Sequence, residues 1–108
     1  MPSYLVQASY TVEALAALMK APQNRSEVVR KAVEKLGGSL TGIWLSFGDQ
    51  DVVCILDMPD NISAAALALA IASGGALKST KTTPLLTIDE GMAAMKKAGT
   101  SGYKPVKK

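Results

Sequence analysis

Two carboxylates stand two residues apart near the middle of the chain, in the sequence Gly48-Asp49-Gln50-Asp51. In an extended segment their side chains would point to the same side, which suits a weakly held divalent cation or a general base. Asp51 is the better candidate for a catalytic base, because it opens an apolar strand where burial would raise the pKa of its carboxyl group. Solvated or capping carboxylates are the alternative, and a magnesium site usually needs substrate phosphates as well.

Histidine is absent from the sequence. Within this chain, that excludes Ser-His-Asp and Cys-His catalytic arrangements, His-ligated zinc or non-haem iron, and haem with a proximal His. The one cysteine, Cys54, lies in a strand pattern with no activating base nearby in sequence, so we expect an inert core residue. Gly37-Gly38 and Gly74-Gly75 follow predicted helices, which is typical of C-caps and not of phosphate-binding loops. We therefore expect no metal site and no organic cofactor.

Aromatic side chains offer a different chemistry. Tyr4, Tyr10 and Trp44 would supply a pocket with an apolar face and with hydroxyl groups that orient a flat apolar ligand. Packing in the core or at an interface is their alternative role. The residues that we predict to bind a ligand are Tyr10, Trp44, Gly48, Asp49 and Gln50.

A further alternative concerns the amino terminus. If Met1 is removed, Pro2 becomes a secondary amine at the start of a strand, the arrangement of tautomerases that use an amino-terminal proline base. Those enzymes also use nearby arginines, whereas Arg25 and Arg30 lie on a predicted helix here. This alternative is therefore the less favoured one.

The candidate residues lie on a predicted hairpin that spans residues 38–59. Apolar residues occupy every position from Val52 to Leu56, so this strand is apolar on both faces and should be a central strand that is covered on both sides. The preceding strand is apolar in both directions too, with Trp44 on one face. We expect a tight turn at residues 48–51, in which Gly48 supplies a positive φ.

The rest of the chain supplies the covering elements. A strand at residues 3–9 leads into a helix that Thr11 caps, that Ala21-Pro22 interrupts and that resumes after Asn24. An alanine-rich helix at residues 62–73 should be buried on more than one side, and an edge strand with Lys78 and Lys81 follows. A capping box at residues 87–90 starts a last helix.

This order predicts an α+β fold of the ferredoxin-like βαββαβ type, with an antiparallel sheet, helices on one face and an extra C-terminal helix. We expect one domain at residues 1–97 and a basic flexible tail at residues 98–108. Because the central strands are apolar on both faces, the uncovered face should meet the same face of a second subunit.

Composition limits the partners and the location. The formal charge is +3, but three of the 12 basic residues lie at positions 104, 107 and 108, so the rest of the chain carries nine charges of each sign. Only 5% of residues are aromatic, and nucleic-acid binding is not expected. The longest apolar run is shorter than the about 20 residues that span a bilayer, so we expect no membrane segment. The lone cysteine favours a reducing compartment, and the predicted location is the cytoplasm.

Several short segments share one order and spacing: Met1-Pro2-Ser3-Tyr4, Tyr10-Thr11-Val12-Glu13, Ala21-Pro22, Leu36-Gly37-Gly38, Gly48-Asp49-Gln50-Asp51, Pro59-Asp60 and Thr80-Lys81-Thr82. Together, from about Pro2 to Met95, they resemble the GYD domain family, small proteins named for a Gly-Tyr-Asp motif at this hairpin. The resemblance implies a dimeric α+β barrel, a group that includes cofactor-free oxygenases, isomerases, haem enzymes and proteins of unknown role. Here Gln50 replaces the motif's tyrosine, which puts any role of a phenol at that turn in doubt.

The sequence therefore predicts a small homo-oligomer that binds a small apolar or aromatic molecule in a cavity at the subunit interface, without metal or cofactor. A cofactor-independent oxygenase or isomerase is the alternative, with Asp51 as its base and with Trp44 and Tyr10 as walls. A purely structural oligomer is the third hypothesis. Fold analogy supplies much of the case for the first two.

Overall fold

Four strands and four helices lie within residues 1–107, which are the residues described by the structure, a computed structural model. In chain order the elements are β1 (Ser3–Tyr10), α1 (Val12–Lys20), α2 (Ser26–Lys35), β2 (Ser39–Leu45), β3 (Val52–Asp57), α3 (Asn61–Ser73), β4 (Leu77–Leu85) and α4 (Ile88–Ala98). The predicted basic tail begins at the last residue of α4, and Lys108 lies outside the described residues.

The strands form one antiparallel sheet in the order β2-β3-β1-β4. The two inner strands pair with Tyr4 opposite Leu56 and Val6 opposite Cys54. The predicted ferredoxin-like topology is confirmed, with β3 as an inner strand and β4 at an edge. Pro84 lies in that edge strand, where a missing backbone donor is tolerated.

The core lies between one face of the sheet and the helices. Because neighbours across an antiparallel ladder share a face, the buried apolar side chains of the inner strands all point to the same layer. They pack with Val33 of α2 and Leu67 of α3, and Leu40 of β2 completes the cluster. The Tyr4 hydroxyl donates a hydrogen bond to Oδ1 of Asn61, which ties the start of β1 to the start of α3.

The opposite face of the sheet has no covering element within the described residues. We call it the open face; it carries Leu5, Val53, Ile55 and Trp44. Trp44 is 54% exposed, and its ring lies over Gly42, where a Cβ atom would come within 2.6 Å of it. The glycine therefore provides the space that the indole occupies.

The connection between β2 and β3 differs from the prediction. It runs over residues 46–51, and Gly48 does not adopt a positive φ. Ser46 closes the loop instead, because its backbone N donates to the Asp51 carbonyl at 2.8 Å and its hydroxyl donates to the Gln50 carbonyl. Positive φ values occur after helices, at Gly37 (90°) and Gly75 (79°), as expected of C-caps.

Side-chain caps begin three of the helices. Thr11 accepts from Ala14 N, Asp60 accepts from Ser63 N, and Thr87 forms the predicted capping box with Glu90. The break at Ala21-Pro22 separates α1 from α2.

The alanine-rich helix is more exposed than the sequence predicts. In α3 only Ala64 and Leu67 are buried, while Ile62 and Leu69 are 82% and 72% exposed. The reason is that α3 meets the sheet along one side only, and the described residues place nothing on its outer side.

The last helix lies outside the core, because none of its residues is buried. The radius of gyration is 17.3 Å, against about 13 Å for a compact chain of this length. No helix within residues 1–107 is both long and apolar enough to cross a membrane.

Asp60, the N-cap of α3, predicts that the stability of the fold depends on pH. Hydrogen bonds from the backbone and side chain of Ser63 lower the pKa of Asp60. A carboxylate with a lowered folded-state pKa stabilises the fold above its ordinary pKa of about 4, and this contribution disappears as pH falls through the lowered value. Asp60→Asn keeps a capping oxygen that does not titrate. We therefore expect thermal unfolding from about pH 6 to about pH 2 to show a larger loss of stability in the wild type than in Asp60→Asn.

The control is Asp89→Asn, at an exposed carboxylate in the first turn of α4, a helix outside the core. It should follow the pH dependence of the wild type. Parallel curves for wild type and Asp60→Asn would contradict the role of this cap.

Candidate functional site

A cavity of about 530 Å³ lies between the sheet and the first three helices. Val6, Ala8 and Cys54 of the inner strands form its floor, and Leu67 and Ile71 of α3 form part of its wall. This volume falls within the range of about 300–1,000 Å³ that is typical of small-molecule sites. The cavity is on the helix side of the sheet, within one subunit.

Small side chains create this space. Alanines line the cavity from all three helices: Ala14 and Ala17 from α1, Ala32 from α2, and Ala68 and Ala70 from α3. A methyl group fills little of the gap between a helix and a sheet, and α1 has no buried residue that would fix it closer to β1. Ala17, Val28 and Ala70 of this lining are exposed, so the space is open to solvent and offers an apolar surface that a small molecule could cover.

A second cavity of about 350 Å³ adjoins the first and shares Tyr10, Leu18 and Val52 with it. It continues to residues 22–26, which run from the connection between α1 and α2 to the first residue of α2; we call this segment the mouth. The mouth is polar: Arg25 Nη1 donates to Gln23 Oε1 at 3.2 Å, and Asn24 Oδ1 accepts from Ser26 N at 2.9 Å. One end of the cavity system is therefore polar, and the rest is apolar.

The structure separates the predicted ligand-binding residues into two groups. Tyr10 lines both cavities, and Trp44 lines the smaller one. Gly48, Asp49 and Gln50 line neither. They lie on the loop between β2 and β3, where the buried Ser9 hydroxyl contacts Gln50 Oε1 at 3.1 Å and the Asp49 carbonyl at 3.3 Å. Polar groups of the loop therefore contact the end of β1.

Asp51 joins the same loop to β1. Its Oδ2 accepts a hydrogen bond from Tyr10 N at 2.9 Å, and its own backbone N donates to the Ala8 carbonyl at 2.9 Å. Asp51 lines neither cavity. One carboxylate oxygen therefore satisfies a strand-end donor, and a role as catalytic base stays a prediction.

The remaining candidates lie in the core or at the chain start. Cys54 is a buried free thiol, and burial raises its pKa to about 11, so the thiol is neutral and a poor nucleophile. Tyr4 is 2% exposed and belongs to the core cluster. Pro2 is exposed, and its carbonyl accepts from Met58 N at 3.0 Å. Residues 1–107 contain no group of three potential metal-ligating side chains.

Two features of the candidate site are not predicted by the sequence patterns. The first is the alanine lining, although the alanine-rich helix itself was visible as a pattern. The second is Arg25, which lines both cavities. The signal for Arg25 was the Ala21-Pro22 break, which marks a helix connection but does not show that the connection reaches a cavity.

These observations define a ferredoxin-like α+β domain with an apolar cavity between its sheet and its helices. The profile of the GYD domain family matches residues 4–95, and the chain belongs to this family. A comparison with curated protein sequences gives no match.

The contact between Asp51 and Tyr10 predicts a structural effect. In Asp51→Ala the half-buried Tyr10 N loses its acceptor, and an unsatisfied buried donor typically costs about 1–3 kcal/mol. We expect the free energy of unfolding, measured with denaturant, to fall by about that amount. The matched control is Asp49→Ala on the same loop, whose exposed side chain should contribute little. Equal stability of the two variants would show that the Asp51 contact is not stabilising.

Proposed function

We propose that this GYD domain binds a small, mostly apolar molecule in the cavity between its sheet and helices α1–α3. The observation that carries the proposal is the cavity of about 530 Å³ with an apolar floor and alanine-lined walls. Burial of apolar ligand surface there would supply the main driving force for binding, and the polar mouth would orient the molecule.

The proposed ligand position differs from that of the sequence-based hypothesis. That hypothesis places the cavity between the open face and a partner. The cavity that supports the present proposal lies on the other side of the same sheet, so one subunit supplies its floor and walls. Tyr10 is retained as a proposed ligand contact. Trp44 lines the smaller cavity, but its ring lies on the open face. Asp49 and Gln50 act through their contacts with Ser9 of β1.

We also propose that a second copy of the chain covers the open face. Leu5, Val53 and Ile55 form an apolar strip there, with Trp44 beside it. Phe47 adds a fully exposed ring at the neighbouring end of β2. An apolar strip of this kind, on a sheet whose inner strand β3 is apolar on both faces, is typical of a subunit interface.

The enzyme hypothesis finds less support than the binding hypothesis. Among residues 1–107, no carboxylate and no other group that would abstract a proton near neutral pH lines either cavity. Asp51 is engaged with the backbone of Tyr10. The purely structural hypothesis gives the alanine-lined space no role.

Filling the cavity tests the binding proposal. Ala14→Phe places a ring in the cavity, whereas Ala16→Phe places the same ring on an exposed position of α1 that lines neither cavity. We expect dodecanol to raise the melting temperature of the wild type and of Ala16→Phe, because a ligand that binds only the folded state stabilises it. Ala14→Phe should show little or no shift. The same shift in all three proteins would place binding elsewhere.

A charge introduced on the open face tests the proposal that a second copy of the chain covers this face. Val53→Lys introduces a cation into the apolar strip, whereas Leu69→Lys introduces one on the exposed side of α3. We expect sedimentation velocity to show dimers for the wild type and for Leu69→Lys, and single subunits for Val53→Lys, because an unpaired charge at an apolar interface is costly. A wild type that sediments as a single subunit at micromolar concentration would contradict the proposed interface.

A further inference from the structure

We infer that the ligand of the helix-side cavity is an amphiphile with one negative charge, whose carboxylate binds Arg25 at the mouth while its apolar body lies against the sheet. This inference rests on the proposed function and narrows the class of ligand. The observations that carry it are the charge of the residues around the two cavities and the hydrogen bonds of the two arginines.

The formal charge on the described residues around the cavities is of one sign, positive. Among the described residues that line them, Arg25 is the only one with a formal charge, and aspartate and glutamate are absent. Arg25 is exposed at the mouth, where water solvates its charge in the free protein, and a neutral apolar ligand would make no ion pair with it. A ligand with one anionic group would neutralise it.

The guanidinium of Arg25 has capacity for such a group. Its hydrogen-bond acceptor is the side-chain amide oxygen of Gln23, a neutral group, and no carboxylate within residues 1–107 forms an ion pair with it. Arginine has five N–H donors in a planar fork that matches the two oxygens of a carboxylate. Most of these donors are therefore available to a ligand.

Arg30, the second arginine, differs from Arg25 because it has a charged partner. Arg30, five residues further along α2, pairs with Glu27 at 3.4 Å and donates to the Leu40 carbonyl at 3.4 Å. It lines neither cavity. Arg30 thus connects α2 to β2, whereas Arg25 faces the site without a charged partner.

The position of Arg25 sets the orientation of the ligand. Arg25 lines both cavities, so it lies where they join at the mouth, beside Gln23. The floor of the larger cavity, at Val6 and Cys54, is apolar and buried. A carboxylate would remain at the mouth, partly in water, and an alkyl or aromatic body would extend towards the floor.

Paired ligands test this assignment. Isothermal titration calorimetry would compare octanoate, decanoate and dodecanoate with the alcohols of the same chain length. We expect the wild type to bind the best carboxylate about tenfold more tightly than its alcohol, since charge-assisted hydrogen bonds at an exposed site are partly screened. Added salt should weaken binding of the carboxylate and leave binding of the alcohol unchanged.

Three variants identify the residue responsible. Arg25→Gln should bind carboxylate and alcohol equally, with affinity for the alcohol unchanged. Arg25→Lys should keep part of the preference, because lysine retains the charge but not the planar fork. Lys20→Gln removes an exposed charge from the last turn of α1 that lines neither cavity, and it should behave as the wild type.

The outcomes separate the two proposals. Equal binding of carboxylates and alcohols by the wild type would overturn the inference and leave the binding function intact. Binding of neither series would overturn the proposed function together with the inference. A preference that survives in Arg25→Gln, or that is lost in Lys20→Gln, would overturn the assignment to Arg25.

Discussion

The structure depends on the inner strand β3, which is apolar on both faces from Val52 to Leu56. One face is covered by α2 and α3, and the side chains of Tyr4, Val6 and Leu56 are buried there. The hydrophobic effect requires both faces to leave water, but the helices of one chain reach only one. The open face and the incompletely filled helix side are two consequences of this constraint. The first favours a second subunit, and the second favours a ligand.

The loop between β2 and β3 supports the site without forming part of its wall. Asp51, Gln50 and Ser46 use their polar groups on β1 and on the loop itself. Such contacts fix the end of β1, where Tyr10 lines the cavities. The loop therefore affects the candidate site by positioning Tyr10. This accounts for a motif that is rich in functional groups and yet lies outside both cavities. It also lessens the importance of the tyrosine that Gln50 replaces, because Gln50 holds Ser9 through its own side chain.

Much of the fold could be predicted from local sequence signals. The apolar run from Val52 to Leu56 correctly indicates an inner strand, and the capping residues Thr11 and Thr87 mark where helices begin. Two expectations fail for physical reasons. Gly48 is not needed at positive φ because Ser46 closes a longer loop, and composition alone could not show that α3 would have a neighbour on one side only.

The site was less predictable than the fold. The aromatic character of Tyr10 indicates a residue that lines both cavities. Trp44, in contrast, lines the smaller cavity with its ring on the open face, and Gly48 and Asp49 line neither cavity. A cavity is a property of the space between elements, and its location depends on how far α1 lies from β1. Arg25 illustrates the limit: the Ala21-Pro22 break marks a connection between helices near it, but only the structure shows that this connection reaches both cavities.

The central claim is that the helix side of the sheet, and not the open face, holds the ligand. Methyl NMR on the dimer or the single subunit, during titration with dodecanoate, tests it most directly. The account predicts shift changes and ligand contacts at the methyl groups of Val6, Leu67 and Ile71, with Val53 and Ile55 unaffected. Changes confined to Val53 and Ile55 would place the ligand between subunits and contradict the account.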